Sequence, residues 1–318
     1  MIMSFPAAEA LCKCPLCAHP AARSVQQLTG EQLAKLWRAF GHEFTPEAWG
    51  KIQPQSAVVL RCCQGCGFRF FDPSLAGNEA FYRELEAGEA YYAQARPEFQ
   101  RTLGFARRNR LRRVLDVGCG SGAFLDLARQ AGCETCGVEL NSVAGRKASA
   151  KGHRVFSRLL RELDRSQTGG GFDLISFFQV LEHVAEPAKV LEQASLFLNP
   201  GGWISVSLPS SEGVCRLARL EPHQWPPHHI SLWRPADLPQ LGRAAGLKLV
   251  QRGGDLLLGS DIERIWKARS LSATALACRA SWGGSWMPRL LCLAYRKAGL
   301  KFVLPRWGCS IYGYFQKP

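Results

Sequence analysis

The chain has 318 residues, of which 47% are hydrophobic and 21% are charged, and this composition excludes a disordered or fibrous protein. The formal net charge of +14 favours acidic partners such as phosphates, nucleic acid or an anionic membrane surface, without identifying one of them. The sequence contains no uninterrupted run of about 18 apolar residues, the length needed to span a bilayer. The segment "MIMSFPAAEALCKC" lacks the charged start and long apolar centre of a secretion signal. Because several of the 13 cysteines lack any regular spacing, we expect a protein of the reducing cytoplasm.

Two C-x-x-C motifs stand near the start of the chain, in "CKCPLCAHP" and in "LRCCQGCGFRFF". Zinc takes four thiolates in a tetrahedron, and two such knuckles can each bring two sulfurs to one point. Cys12 and Cys62 flank the motifs and could replace a neighbour, and buried cysteines without a metal are the alternative. A redox pair is less favoured, because neither motif opens a helix after a strand. We predict a structural zinc ion in a module covering residues 1–78, bound by Cys14, Cys17, Cys63 and Cys66.

Helix and strand patterns then follow one another along the chain. Residues 79–110 are charged and helix-forming, interrupted at Pro97, and we interpret them as a helical linker. From residue 111 the predicted strands are "RRVLDVGC", "CETCGVEL", "HRVF", "FDLISFF" and "WISVSLP", with the turn "NPGG" before the last of them. The predicted helices between them are "AFLDLARQA", "SVAGRKASAKG" and "EPAKVLEQASLFL". Such alternation predicts a doubly wound α/β fold, with a mostly parallel sheet that binds ligands at the C-terminal ends of its strands.

The remaining segments complete the predicted domain. The predicted core, residues 111–255, ends after a long loop with the helix "RPADLPQLGRAAG" and the strand "LKLVQRGG". Residues 308–318 contain "CSIYGYFQK", whose alternating pattern predicts an antiparallel last strand that closes a seven-stranded sheet. Residues 256–307 are predicted to form a basic helical insertion. In its segment 261–307, aromatic residues mixed with lysine and arginine also fit a peripheral contact with a membrane, the less favoured alternative.

The strongest motif is "VLDVGCGSGAFL", a strand that runs into glycines at the start of a helix. Backbone N–H groups lie open to a ligand at such a place. The loop contains Gly118, Gly120 and Gly122. The third of these glycines comes one position too early for the G-x-G-x-x-G pattern of dinucleotide folds. Asp116 precedes the turn, and Glu139 ends the next strand, where a carboxylate can accept hydrogen bonds from both hydroxyls of a ribose.

These residues resemble class I S-adenosylmethionine-dependent methyltransferases, and the resemblance covers residues 79–255. "FDLISFFQVLEHVAEPAKVLEQASLFLNPGGWISVSLP" is similar to the fourth and fifth strands of that family and the helix between them. The cysteine knuckles, "YYA", the tryptophan before "HH" and the helix ending "RAAGL" together resemble bacterial zinc-ribbon methyltransferases, which include sugar C-methyltransferases and enzymes of polysaccharide and natural-product pathways.

The resemblance implies a role for each matching residue in binding S-adenosylmethionine. Asp116 orients the glycine loop and the cofactor amine, Glu139 takes the ribose, and Leu140 lies against the adenine. Gln179 and Val180, just past the fourth strand, line the methyl end. After the third strand "FSRLLREL" offers no aspartate for the adenine amino group, so that contact has no assigned residue. The loop around the methionine part comprises Gly118, Cys119, Gly120 and Gly122.

Histidines are the candidate catalytic bases, since their ordinary pKa lies near neutrality. His183 stands in "LEHV", and His223, His228 and His229 stand in the loop "PHQWPPHHISLW". His229 matches the family's histidine before the next helix and ranks above His228. For His183 a structural role, tying down the loop by a hydrogen bond, is an equal alternative.

The predicted function is methyl transfer to oxygen or carbon of a small molecule or glycan, with a nucleotide sugar or a lipid-linked glycan among the acceptors considered. The alternative is a zinc-ribbon RNA methyltransferase or a nucleic-acid-binding module. No RNA-recognition motif is present, and "FFQVLEH" replaces the Asn/Asp-Pro-Pro-aromatic motif of enzymes that methylate amino groups of bases. Nucleic acid is therefore the less favoured partner, and the sequence leaves the acceptor atom and the oligomeric state open.

Overall fold

The computed structural model describes residues 13–88, 96–212, 220–255 and 308–318, and also 267–268, 270–272 and 275–276. Residues 1–12, with Cys12, and nearly all of the predicted insertion 256–307 lie outside the described residues, so the predicted membrane contact of 261–307 does too. Within the described part, no helix has the length and apolar character needed to cross a membrane.

From residue 111 on, the described strands and helices of the larger sheet follow the predicted order. The strands are β1 (Ala22–Thr29), β2 (Ala57–Cys63), β3 (Arg69–Phe70), β4 (Arg113–Val117), β5 (Glu134–Val138), β6 (Arg154–Phe156), β7 (Phe172–Phe178), β8 (Leu198–Pro209), β9 (Ser231–Leu232), β10 (Lys248–Gly254) and β11 (Ser310–Gln316). The α-helices are α1 (Gly30–Ala39), α2 (Pro46–Trp49), α3 (Glu79–Gly88), α4 (Pro97–Arg108), α5 (Ala123–Gln130), α6 (Ser142–Ala150), α7 (Pro187–Leu196) and α8 (Leu238–Ala244).

The larger sheet has seven strands in the order β10-β11-β8-β7-β4-β5-β6. The pairs β4–β5, β4–β7, β5–β6 and β7–β8 are parallel, and β11 lies antiparallel between β8 and β10. Helices α4 and α5 pack on one face of the sheet, and α7 and α8 contribute to the core on the other. The predicted doubly wound sheet with an antiparallel last strand is therefore confirmed.

The predicted turn "NPGG" is wrong in one respect, since it lies inside β8 and not before it. Leu198 pairs with Phe172, and the next pair joins Trp203 to Leu174, so β8 carries extra residues across this step. Gly201 has φ +70°, a conformation that glycine adopts at little cost. The segment is thus a bulge that keeps its flanks paired to β7.

The smaller sheet joins the cysteine-rich segment to the larger sheet. Its order is β1-β2-β3-β9, all antiparallel, so its last strand comes from the loop after β8, beyond the predicted module 1–78. Phe68, beside β3, packs against Trp233 with ring centres 4.8 Å apart, and both belong to a buried cluster that continues into α8. The cysteine-rich segment and the sheet domain therefore share one hydrophobic core.

Candidate functional site

The glycine loop between β4 and α5 has a backbone that only glycine fits. Gly118 has φ +76°, and a Cβ on it would stand 2.6 Å from Cγ2 of Val180. Gly122 caps α5 with φ +82°, and a Cβ there would stand 3.1 Å from Cβ of Ala148. Gly120 also has a positive φ, +53°. The glycines therefore let the backbone turn tightly at the strand end. The expectation of open N–H groups is not met, because those of Gly118 and Cys119 donate to the carbonyl of Val138 and that of Gly122 donates to the carbonyl of Cys119.

The carboxylate of Glu139 holds this loop. Glu139 follows β5 and is buried, and its two oxygens accept the N–H groups of Gly120 and Asn141, each at 2.8 Å. A carboxylate is an acceptor with about four lone-pair sites, the type of group that the hydroxyls of a ribose bind. The side chain thus both fixes the loop and can bind a sugar.

Asp116 lies buried in β4 beneath the glycine loop. The hydroxyl of Ser176 donates to its Oδ1 at 2.7 Å. Burial raises the pKa of Asp116 to about 8, the Ser176 bond opposes the rise, and the nearby Glu139 carboxylate adds to it. Positive charge from Arg96 acts in the opposite direction. The site therefore holds a carboxyl group that a bound cation would ionise.

The edge beside Glu139 exposes large aliphatic side chains. Leu140 is 59% exposed and Val143, in the first turn of α6, is 48% exposed. Exposed aliphatic groups next to a ribose-binding carboxylate give an apolar surface against which a flat base can lie. Leu140 was predicted from the sequence, whereas Val143 was missed because it reads as an ordinary surface residue of a helix.

Gln179 and Val180 lie where β7 meets the glycine loop. The N–H of Gln179 donates to the carbonyl of Ser207 at 2.9 Å, and its Nε2 donates to Oε1 of Glu98 at 3.5 Å. Gln179 has φ +58°, uncommon for a residue other than glycine and found where a site holds a strained backbone. The structure thus brings both predicted residues beside Gly118, although it does not test their role.

Two residues near the start of α4 belong to the site and were missed. Glu98 is buried against Gln179, and Arg96 lies 3.7 Å from Oε1 of Glu98. The charge of Arg96 acts on both Asp116 and Glu182. In the sequence these residues stand in a heavily charged helical stretch, where no spacing distinguishes them from a solvated face.

Three histidines form a cluster at the same end of the sheet, in which His228 and His229 are buried and His183 is half-buried. His183 ends a short 3-10 turn after β7, and His228 and His229 lie in the loop before β9. Their ring centres are 4.7 Å apart for His183 and His228, 4.9 Å for His183 and His229, and 4.5 Å for His228 and His229. Burial lowers the pKa of His183 to about 4 and the pKa of the other two well below the ordinary value. The cluster is therefore neutral.

Backbone carbonyls orient two of these rings. Nδ1 of His183 lies 2.6 Å from the carbonyl oxygen of His228, and Nδ1 of His228 lies 3.0 Å from that of His223. Since a carbonyl only accepts, each Nδ1 carries the proton and each Nε2 keeps its lone pair. The hydrogen bond proposed for His183 as a structural residue is thus present, and its second nitrogen stays available for chemistry.

Polar atoms beside the cluster lack partners. Glu182 is 1% exposed, and neither of its carboxyl oxygens has a hydrogen-bond partner among the described residues. Its Oε1 stands 3.8 Å from Nε2 of His183, and burial raises its pKa to about 8. Nδ1 of His229 is likewise buried without a partner in the described part of the chain. Buried polar atoms without partners are rare and indicate a functional site.

The N-terminal segment builds the wall behind the histidines. The ring of Trp37, from α1, lies 4.7 Å from the ring of His223 and 6.4 Å from that of His228. The hydroxyl of Tyr82, from α3, stands 3.1 Å from Nδ1 of His183. Neither aromatic residue was predicted for the site, because each fits the apolar face of its helix. The cysteine-rich segment thus reaches the histidine cluster through α1.

The four predicted cysteines lie together. Sγ atoms of Cys14 and Cys66 are 3.7 Å apart and those of Cys17 and Cys63 are 3.5 Å apart, and all four lie within 4.8 Å of one another. Four sulfurs placed about 2.3 Å from a zinc ion in a tetrahedron stand about 3.8 Å apart. The four thiols therefore fit zinc. Cys62 stays outside the group, with its thiol 3.5 Å from the carbonyl of Gly67.

Known proteins resemble this chain over the same region. A family model described as "Methyltransferase domain" matches residues 87–252, just over half of the chain. The ubiquinone biosynthesis O-methyltransferase of Bordetella avium is 31% identical over 155 residues, which are 43% of this chain and 62% of that protein. Its counterpart in Bordetella bronchiseptica is 30% identical over 180 residues, 51% of this chain and 70% of that protein. The chain spans less than two thirds of the length of the first curated relatives it matches.

Solved structures of similar proteins were also found. The plantazolicin methyltransferase BpumL, in complex with S-adenosylhomocysteine, has a TM-score of 0.48 at 14% identity and covers 75% of this chain and 91% of its own. A S-adenosylmethionine-dependent methyltransferase from Archaeoglobus fulgidus has a TM-score of 0.45 at 17% identity, covering 76% of this chain and all of its own.

Proposed function

The chain belongs to the methyltransferase domain family, and from this membership we propose that it transfers the methyl group of S-adenosylmethionine to oxygen or carbon of a small molecule or glycan. One observation carries the proposal: the glycine loop held by Glu139 and the cluster of three histidines lie at the same end of one sheet. The loop is suited to the cofactor, and the cluster is suited to the acceptor.

The cofactor's parts match the groups along the loop. The carboxylate of Glu139 accepts the ribose hydroxyls, and the exposed side chains of Leu140 and Val143 cover the adenine. Asp116 pairs with the cationic amine, which explains why a carboxyl group is kept in a buried position. The loop is proposed to wrap the methionine part through Gly118, Cys119, Gly120 and Gly122, with Gln179 and Val180 at the methyl end.

When bound, S-adenosylmethionine supplies a methyl group on a positively charged sulfur. The acceptor gains this methyl on oxygen or carbon and loses one proton, while the electron pair of the broken C–S bond stays on sulfur. The chain's task is to hold both reactants in line and to ease the loss of that proton. His183, His228 and His229 are proposed for the second task, because they form one cluster in which His183 donates its N–H to the carbonyl of Val180, the residue proposed for the methyl end.

The cysteine cluster is proposed to hold a structural zinc ion. Four thiolates complete a tetrahedral site and leave no position for a substrate, so the ion stabilises the fold and takes no part in the reaction. The ion's site is joined to the larger domain, since Arg234 donates from Nη2 to the carbonyl of Cys66 at 3.5 Å and Phe68 packs against Trp233.

Calorimetry and a labelling assay test the proposal. Titration of the purified chain with S-adenosylhomocysteine is expected to give heat, and no heat with either form of the cofactor would contradict the whole proposal. Incubation with methyl-labelled cofactor then compares pools of hydroxylated aromatic compounds, nucleotide sugars, lipid-linked glycans and RNA. Label in a small-molecule or glycan pool supports the proposal, whereas label in RNA alone favours the nucleic-acid alternative.

A further inference from the structure

We propose that His183, His228 and His229 bind one divalent transition-metal ion, such as zinc, on the acceptor side of the site. This ion is separate from the one proposed for the cysteine cluster. Each histidine offers one ring nitrogen, and these three atoms lie within 4.8 Å of one another. Imidazole nitrogens suit zinc, copper, iron and nickel, so the ligand set defines this class of ion and excludes magnesium or calcium.

The spacing of the rings matches that of imidazoles around one ion. An ion about 2.1 Å from one nitrogen of a ring stands roughly 3.2 Å from the centre of that ring. Two ring centres that make an angle of roughly 90° to 110° at the ion are then roughly 4.5 to 5.2 Å apart. The observed separations are 4.7, 4.9 and 4.5 Å. The distances therefore suit one ion, whereas the planes of His228 and His229 are stacked at 22°, so one of these two rings must turn before both nitrogens point at it.

The hydrogen bonds of the rings have the form found around bound metals. A histidine that binds a metal through one nitrogen donates its other N–H to a carbonyl or carboxylate, which sets the tautomer. His183 and His228 both have Nδ1 against a backbone carbonyl, at 2.6 and 3.0 Å. Nδ1 of His229 is buried without a partner among the described residues. Three neutral rings with two nitrogens fixed in this way are prepared to bind a cation.

A buried acid supplies the opposite charge. Glu182 is 1% exposed, both of its oxygens lack hydrogen-bond partners within the described residues, and Oε1 lies 3.8 Å from Nε2 of His183. A buried carboxyl group without partners is unfavourable unless a charge compensates it. A divalent ion on the adjacent histidines provides that compensation, and this explains why an acid is kept there.

The ion gives the acceptor side its chemistry. Three protein ligands leave a coordination position for an oxygen of the acceptor, and a metal lowers the pKa of a hydroxyl that binds to it. The acceptor hydroxyl releases its proton to solvent, and its oxygen electron pair then forms the bond to the methyl carbon. This use of the ion rests on the proposed methyl transfer, whereas binding of the ion does not.

Metal analysis of the full chain tests the site. After incubation with excess zinc and removal of the unbound metal, the wild-type chain is expected to carry two ions, one on the cysteines and one on the histidines. His228→Asn and His229→Asn are each expected to carry one. His223→Asn is the matched control: its ring lies 5.3 Å from that of His228, its backbone carbonyl is unchanged, and it is expected to keep two ions.

Cobalt identifies which ion is lost. Cobalt on thiolates gives intense charge-transfer absorption in the near ultraviolet, and cobalt on imidazoles does not. The His228→Asn spectrum is expected to keep the thiolate band and to lose part of the visible absorption. A wild-type chain with metal on the cysteines alone, or histidine variants that keep both ions, would overturn the inference. Wild-type stoichiometry decides the question even where a variant fails to fold, and heat from S-adenosylhomocysteine tests the proposed function independently.

Discussion

The carboxylate of Glu139 accepts the N–H of Gly120 at 2.8 Å, so the acid that ends β5 holds the loop that follows β4. The second oxygen accepts the N–H of Asn141, the residue that caps α6. One side chain thus ties together two neighbouring strand ends. Substitution of Glu139 would remove the hydrogen bond that holds the glycine loop and would also remove the proposed ribose contact.

Glu139→Ala is expected to weaken binding of S-adenosylhomocysteine by tenfold or more. Loss of the carboxylate leaves the buried N–H of Gly120 without its partner, which costs about 1–3 kcal/mol, and removes the proposed ribose contact as well. Glu134→Gln is the matched control, because Glu134 begins the same strand and is exposed at its other end. Calorimetry measures the affinity, and equal affinities for the two variants would contradict the role of Glu139.

Gly118→Ala is expected to reduce both stability and cofactor affinity. The new Cβ would stand 2.6 Å from Cγ2 of Val180 in a backbone of φ +76°, so crowding adds to the roughly 1–2 kcal/mol cost of that conformation. Gly132→Ala provides the comparison, with φ +82° and only the end of the Arg112 side chain nearby, at 3.6 Å. Thermal unfolding should show a larger loss for Gly118→Ala, and the double variant with Val180→Ala should recover part of it.

Cofactor affinity is expected to rise with pH up to about 8. Asp116 has its pKa raised to about 8 by burial, so at neutral pH the free site holds mostly the protonated acid. A cationic amine favours the ionised form, and its binding therefore releases a proton, which becomes easier as the pH increases. The Asp116→Asn variant lacks this proton release, whereas ionisation of the ligand's own amine affects the wild-type protein and the variant equally. Calorimetry between about pH 6 and 8 tests the difference, and parallel pH curves for the two proteins would refute it.

Cys63→Ser is expected to release the cysteine-bound zinc and to lower the melting temperature. Loss of a metal ligand removes binding free energy that stabilises the folded state, and here the module shares its core with the larger sheet through Phe68 and Trp233. Cys62→Ser is the control, as the adjacent thiol lies outside the cluster. Zinc content and thermal unfolding are measured together, and a Cys63→Ser protein with full zinc content would exclude Cys63 as a ligand.

Much of the architecture was predictable because it depends on local patterns. The apolar run of β7 and its following helix identify a parallel strand, and D-x-G-x-G-x-G fixes where a glycine loop must lie. The paired C-x-x-C motifs likewise predict a group of four thiols. Each of these signals is contained in a few neighbouring residues.

Other parts of the site depend on contacts between distant segments. Arg96 and Glu98 read as members of a charged helix, yet the fold buries Glu98 against Gln179. Trp37 fits the apolar face of α1, and only packing sets it against His228. Likewise, the short segment "SLW" has no pattern that predicts the strand β9, which completes the smaller sheet by pairing with β3.

By itself, therefore, the sequence determined the order of strands and helices, the glycine loop and the residues available as ligands, because periodicity, glycine spacing and cysteine spacing act over short stretches of chain. Tertiary structure alone decided that Glu182 is buried without a hydrogen-bond partner among the described residues and that His183, from one loop, meets His228 and His229 from another. Burial and convergence are properties of packing between segments more than 40 residues apart, as the His183–His228 contact shows. No local pattern encodes them.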